Sequence, residues 1–291
     1  MRTFLRAVVT VAVVVVSTNN AFADRIGPSP VSQRALMADV VVVGKVVGFE
    51  KELVQAAPYP GAKEKVGYKI ATIKIDTGLI GADKLKEIKV GFIPPKALAV
   101  GGQRGFFGFE LKEGQELVLF LAKHPAGDFH VIPGAALPVD LKEPQSKMEL
   151  EIVQSIANVL ADPMKALKSD TPGIRGEAAA VVIQRYRRYP ALGGEVQEVV
   201  LGADESKLLL KSLTEASWSR GSRASEPQGA LHAFHMLGLT AKDGWVQPVI
   251  VNNPGAPPVD YGEVHRDAFG KWLEGPGKDY KIKKIVPKTQ K

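Results

Sequence analysis

The chain has 291 residues, of which 45% are hydrophobic and 24% charged, and a formal net charge of +7. That make-up excludes disorder as the default, and the modest basic excess favours acidic surfaces without selecting one. There is no cysteine, which excludes disulfides, thiol nucleophiles, Cys-ligated zinc and a lipid-bearing Cys after a leader.

The first 23 residues read as a secretory signal peptide. Arg2 and Arg6 give a basic start, Ala7 to Val16 are apolar apart from Thr10, and Ala21-Phe22-Ala23 supplies a small-x-small site before Asp24. The apolar stretch is about half the ~20 residues that span a hydrocarbon core. The expected product starts at Asp24, is exported to the periplasm or cell exterior, and is not membrane-anchored after cleavage. Its length suggests two domains, over 24–140 and 141–291.

Asp24 to Arg34, with Pro28 and Pro30, reads as a lead-in. The β-branched run from Ala38 to Phe49 predicts a strand. After the Pro58 to Gly61 loop, Val66, Tyr68 and Ile70 alternate on one parity and Ile73 and Ile75 on the other, which predicts a bulge. Leu85 to Ile93 alternates and stops at Pro94-Pro95. Gln115 to Leu121 and Phe129 to Ile132 predict a hairpin around Pro125-Ala-Gly-Asp128. Five short strands in this span point to a small barrel of OB type.

Beyond Pro144 the period becomes helical. Ser146-Lys-Met-Glu149 has the capping-box pattern and opens a helix that runs to Asp162-Pro163. A second helix from Thr171-Pro172 is expected to bury Ile174, Ala178, Val181, Val182 and Tyr186. Further helices are predicted at 195–201, 206–218 and 227–237, and one opened by Asp260-Tyr-Gly-Glu263 with Val259 and Val264 as a staple. The final Lys-rich stretch reads as a short strand or tail. Leu167 to Ala179 is like one helix of a HEAT-type repeat, but a solenoid needs several copies. The fold class expected is α+β: a five-stranded OB-like barrel followed by an all-α helical domain.

The segments Ser32 to Val47, Tyr68 to Ile75 and Leu111 to Ala122 resemble the netrin-like fold, closest to the inhibitory domain of the tissue inhibitors of metalloproteinases. The resemblance spans residues 32 to 139 and implies an OB-fold barrel. Those inhibitors chelate the protease zinc through an N-terminal cysteine held by disulfides. A chain that starts at Asp24 and lacks Cys is incompatible with that mechanism, so inhibition would have to be Cys-independent. The whole chain also resembles bacterial exported proteins that join such a barrel to a helical region, a similarity that carries no activity with it.

No Gly-x-Ser-x-Gly or Ser-x-x-Lys motif is present. In the Gly-rich stretch 101–108 and its flank, Arg104, Phe106, Phe107 and Phe109 are candidate binding residues, because aromatics on a loop can clamp a ligand. Their alternative role is to plug the barrel end. His232 and His235, three apart on one helix face, and His265 are candidate ligands for a divalent metal such as zinc, the basis of an alternative reading as a metal-dependent hydrolase. The competing reading makes them boundary residues of packing helices, with no cofactor. His124 and His130 flank the 125–128 turn as rim residues. Gln184-Arg-Tyr-Arg-Arg-Tyr189 mixes cations and rings as nucleic-acid surfaces do, but export argues against nucleic acid; Arg185, Arg187 and Arg188 are expected to be solvated. The leading expectation is a non-catalytic exported protein that binds an unidentified protein or envelope polymer.

Overall fold

A computed structural model describes residues 29–94, 109–134, 136–219, 229–250 and 259–288. Strands β1 (Val40–Phe49), β2 (Val54–Ala56), β3 (Val66–Ile80), β4 (Glu87–Phe92), β5 (Glu116–Lys123), β6 (His130–Val131) and β7 (Val139–Asp140) form one sheet. β1 pairs antiparallel with β3, β3 with β4, and β5 with both β6 and β1; β4 pairs parallel with β6. This circuit of pairings returns to its first strand. β2 and β7 are short additions against β3 and β5.

Alternation along the strands explains why both sheet faces are apolar. Val40, Val42 and Val46 of β1 join Ala71, Ile73, Val90, Leu117, Leu119 and Leu121 in one core. Val41, Val118 and Phe120 point the other way, into a core shared with helices. The parity change in β3 is real, for Tyr68 and Ile70 join a third cluster with Ala122, Phe129 and Val131. However, the pairing of β3 with β4 is continuous across residues 69–74. The register shifts occur against β1 instead, where Val47 of β1 and Asp76 and Leu79 of β3 are the unmatched residues.

The lead-in is partly helical, contrary to the sequence expectation: α1 (Val31–Met37) buries Val31, Ala35 and Leu36 on the sheet. α2 (Ser146–Ala161) packs Val153, Ile156 and Ala157 into the same core, together with Val181 of the later helix α4. Its start differs from the predicted box. Gln145 is the N-cap, and Ser146 Oγ donates to the Leu141 carbonyl at 3.0 Å instead of capping the helix.

The remaining helices are α3 (Pro163–Leu167), α4 (Pro172–Arg187), α5 (Ala203–Leu213), α6 (Ala230–Leu237) and α7 (Tyr261–Glu274). Ile174, expected inside α4, is exposed because the buried face is the Ala178 to Ile183 run. Residues 196–200 are a strand, not a helix: β8 (Val196–Val200) pairs with β9 (Lys283–Pro287), so the second half is not all-α. Its paired valines and β-branched partners outweigh the helical spacing read there. Asp260 caps α7, its Oδ1 accepting from the Gly262 and Glu263 amides at 2.8 and 3.3 Å, while the Glu263 side chain of the expected box pairs with Arg266 instead. Gly262 is required by closeness, since a Cβ there would lie 1.8 Å from the Trp218 carbonyl oxygen.

The arginines of α4 correct the expectation that they are solvated. Arg185 donates to the Leu36 carbonyl at 2.9 Å and to that of Ala38; Arg188 donates to the Met37 carbonyl and pairs with Asp39 at 2.8 Å. Two cations thus cap the last carbonyls of α1, where the helix dipole is negative. Burial, reinforced by the charge of Arg188 and opposed by Asp39, pushes the Arg185 guanidinium down to about 10, leaving it charged at neutral pH. Arg187 bonds the Met236 and Lys283 carbonyls and Glu198, stitching α4 to α6 and to the β8/β9 ribbon. Among the described residues no helix is long and apolar enough to cross a membrane.

Candidate functional site

A cavity of about 220 Å³ opens where β4 and β6 end. Gly91, Phe92 and Ile93 form one wall and Val131, Ile132 and Pro133 another; Pro58 and Tyr59 come from the β2–β3 connection, and Ala191 and Leu192 from the segment after α4. The parallel β4–β6 pairing brings two apolar strand ends side by side. Tyr68, Phe109 and Gly134 complete the lining.

Aromatic rings build this site. Phe92 lies 6.2 Å from Phe49, edge-on, and 6.1 Å from Phe109. Tyr68 meets Phe129 at 5.5 Å and His124 at 5.4 Å, and His124 stacks on Phe129 at 4.6 Å. Gly91 makes this arrangement fit, because a Cβ there would come within 2.8 Å of the Phe129 ring. Burial pushes the Tyr68 phenol up, so it is uncharged at neutral pH. Among the described residues, the lining contains no carboxylate, imidazole, amine or aliphatic hydroxyl. These residues are equipped to hold an apolar group.

Of the predicted binding residues, Phe109 lines this cavity, half-buried, while Arg104, Phe106 and Phe107 lie outside the described residues. Sequence reading missed Tyr59, Tyr68, Phe92 and Leu192. Tyr68 and Phe92 are ordinary strand residues by pattern, and Leu192 is 100 residues distant from Phe92 in sequence; only the Pro/Gly-flanked Tyr59 carried a local loop signal.

His124 and His130 do not behave as solvated rim residues. His124 is buried, its Nε2 lying 2.9 Å from the Ala57 carbonyl while its Nδ1 accepts from the Ala126 amide at 3.2 Å. His130 Nδ1 is buried without a hydrogen-bond partner; burial pushes its imidazole below the ordinary range, with Lys123 adding and Asp39 opposing.

The structure brings His235 and His265 together, ring centroids 5.9 Å apart. His265 is buried, with Nδ1 at 2.7 Å from the Tyr261 carbonyl and Nε2 at 2.9 Å from Gln247 Nε2, so both ring nitrogens are engaged. His232 lies on α6, one turn before His235. Among the described residues, no group of three or more His, Asp or Glu side chains is arranged to hold a metal ion.

A second recess, about 210 Å³, adjoins Arg34. This buried arginine donates to the Leu137 carbonyl, pairs with Glu149 at 3.5 Å and sits 5.1 Å over the Phe120 ring. Burial lowers its guanidinium against the opposing pull of Glu149. Asp140, Glu143 and Glu149 line the same recess, so its charge is mixed, in contrast to the uncharged cavity at the strand ends.

No protein-family model matches the chain, and no curated protein matches its sequence.

Proposed function

We propose that this is an exported, non-catalytic binding protein whose cavity beside Phe92 and Phe109 takes an apolar side chain of a partner protein. The observation that carries the reading is an aromatic and aliphatic lining that, among the described residues, has no group able to transfer a proton near neutral pH. Its volume, about 220 Å³, falls below the roughly 300–1,000 Å³ of clefts that enclose whole drug-sized ligands. A ring or branched side chain fits, and such buried anchors dominate protein interfaces.

The OB-like, netrin-like barrel belongs to this proposal. It is supported by the circuit β1, β3, β4, β6, β5 and back to β1, with a parallel step between β4 and β6. Barrels of this class bind through loops and strand ends, which is where the cavity lies. Export is supported by the basic, apolar and small-residue order of residues 1–23.

The test is ligand-observed NMR of the mature chain with N-acetyl amides of tryptophan, phenylalanine, leucine and glutamate. The apolar amides are expected to bind with Kd of about 0.1–1 mM, as their few heavy atoms allow, and glutamate amide not at all. Leu192→Glu, which places a charge at the cavity wall, should abolish binding. Equal signals from all four amides, or none, would refute the assignment.

A further inference from the structure

Lys69 places a positive charge beside the cavity. On β3 it continues the row of Ile73 and Ala71, whose side chains enter the strand core. Directly across the ladder from it is Phe92, which lines the cavity. Lys69 is half-buried, with its Nζ 4.6 Å over the Phe49 ring, and Phe49 packs edge-on against Phe92 at 6.2 Å. The carbon stem thus extends the apolar row while the ammonium reaches the aromatic rim.

Among the described residues no carboxylate pairs with this ammonium. Glu50, next to Phe49 in sequence, is taken by Lys89 at 2.8 Å. Glu110, next to Phe109, is exposed and forms no ion pair with Lys69. Residues 95–108, which link Pro94 to Phe109 in sequence, contain no Asp or Glu. The Phe49 ring covers one side of the ammonium, and its three N–H donors leave room for an anion. Because the ring already holds the lysine in place, an incoming anion has less side-chain freedom to freeze out.

We propose that the cavity takes the C-terminal residue of a partner chain, its apolar side chain entering beside Phe92 and Phe109 and its α-carboxylate pairing with Lys69, an assignment that rests on the cavity being an anchor site for apolar groups. An α-carboxylate hangs from the anchoring residue itself. Seating the side chain against Phe92 therefore also sets the anion near the ammonium over Phe49. A carboxylate on the next side chain of an extended segment points to the opposite side, because successive side chains alternate. The site thereby reads a chain end, where apolar group and anion share one residue.

The test compares N-acetyl-phenylalanine, its amide, and the amide of N-acetyl-phenylalanyl-aspartate by NMR titration of the full mature chain. At low salt the free acid should bind about 3-fold tighter than the amide, the scale of a partly exposed ion pair, and about 0.5 M salt should remove the difference. Lys69→Met should bind acid and amide alike, with the affinity for the amide unchanged. Lys69→Arg should keep the preference, as should Lys211→Met, which removes an exposed charge from the last turn of α5. Amide binding that the free acid does not improve overturns the assignment, and so does a preference that survives in Lys69→Met. An internal-aspartate peptide that binds as tightly as the free acid overturns the choice of a chain end. Failure of the amide itself to bind refutes the anchor site, and the assignment of a chain end falls with it.

Discussion

In the strand-rich half, the inner core is aliphatic: Val42, Ile73, Val90, Leu117 and Leu119 meet across paired strands. In the helical half, Trp218, Phe234, Trp245, Phe269 and Trp272 pack ring against ring, with neighbouring centroids 4.9 to 6.4 Å apart. The contrast follows from geometry. Strands set side chains close together on a flat surface that branched residues fill, whereas helices crossing at a distance leave wider gaps that large rings bridge. It also decides where polar groups go. Indole N–H groups need acceptors, so the helical core carries hydrogen bonds to backbone, to Gln247 and through it to His265. The strand half instead leaves an apolar cavity at its open end.

The largest effect is expected from Trp218→Ala. It removes a ring in contact with Phe234 and Phe269 and leaves a cavity, at a cost of about 3–5 kcal/mol, measured by urea unfolding. If the halves share one transition, as the core joining Val41 and Phe120 to Val153 and Val181 implies, strand signals will be lost at the same urea concentration as helix signals. Two separate transitions would break that expectation.

Next comes Arg185→Met, which leaves the α1 carbonyls without their charged donor and should cost about 1.5–3 kcal/mol. Hydrogen exchange would show faster opening of α1 and the start of β1, although the substituted residue lies on α4. Unchanged exchange there would mean that α4 does not hold α1.

A smaller change separates the halves by pH. Burial pushes His232 and His235 down, so as pH falls through about 6.5 the unfolded chain takes up protons that the folded chain refuses. Stability is complete above that pH and declines as pH falls toward the folded-state values. His130 in the sheet acts in the same direction. The acid limb of the urea midpoint should flatten in His232→Asn/His235→Asn and, if the helical histidines dominate, change less in His130→Asn.

The smallest effect belongs to the exposed Lys45–Glu116 pair at 3.2 Å. Lys45→Ala should change stability by about 0.5 kcal/mol or less, and added salt should remove what difference there is.

Local signals placed much of the architecture. The Val40 to Phe49 strand, the hairpin around residues 125–128, the helix beginning near Ser146 and the Asp260 cap follow from side-chain period, turn residues and a carboxylate near free amides. These are effects within a few residues, so the sequence alone determined them. Tertiary structure decided the rest. Residues 196–200 became a strand because β9, some 80 residues later, offered a partner, and Arg185 and Arg188 became buried caps because α1 ends beside α4. The cavity joins Tyr59, Phe92, Phe109 and Leu192 from separate segments, and His265 found partners for both ring nitrogens in Gln247 and Tyr261. Each of these depends on distance in space between residues remote in sequence, which packing of the whole chain sets and no local pattern carries.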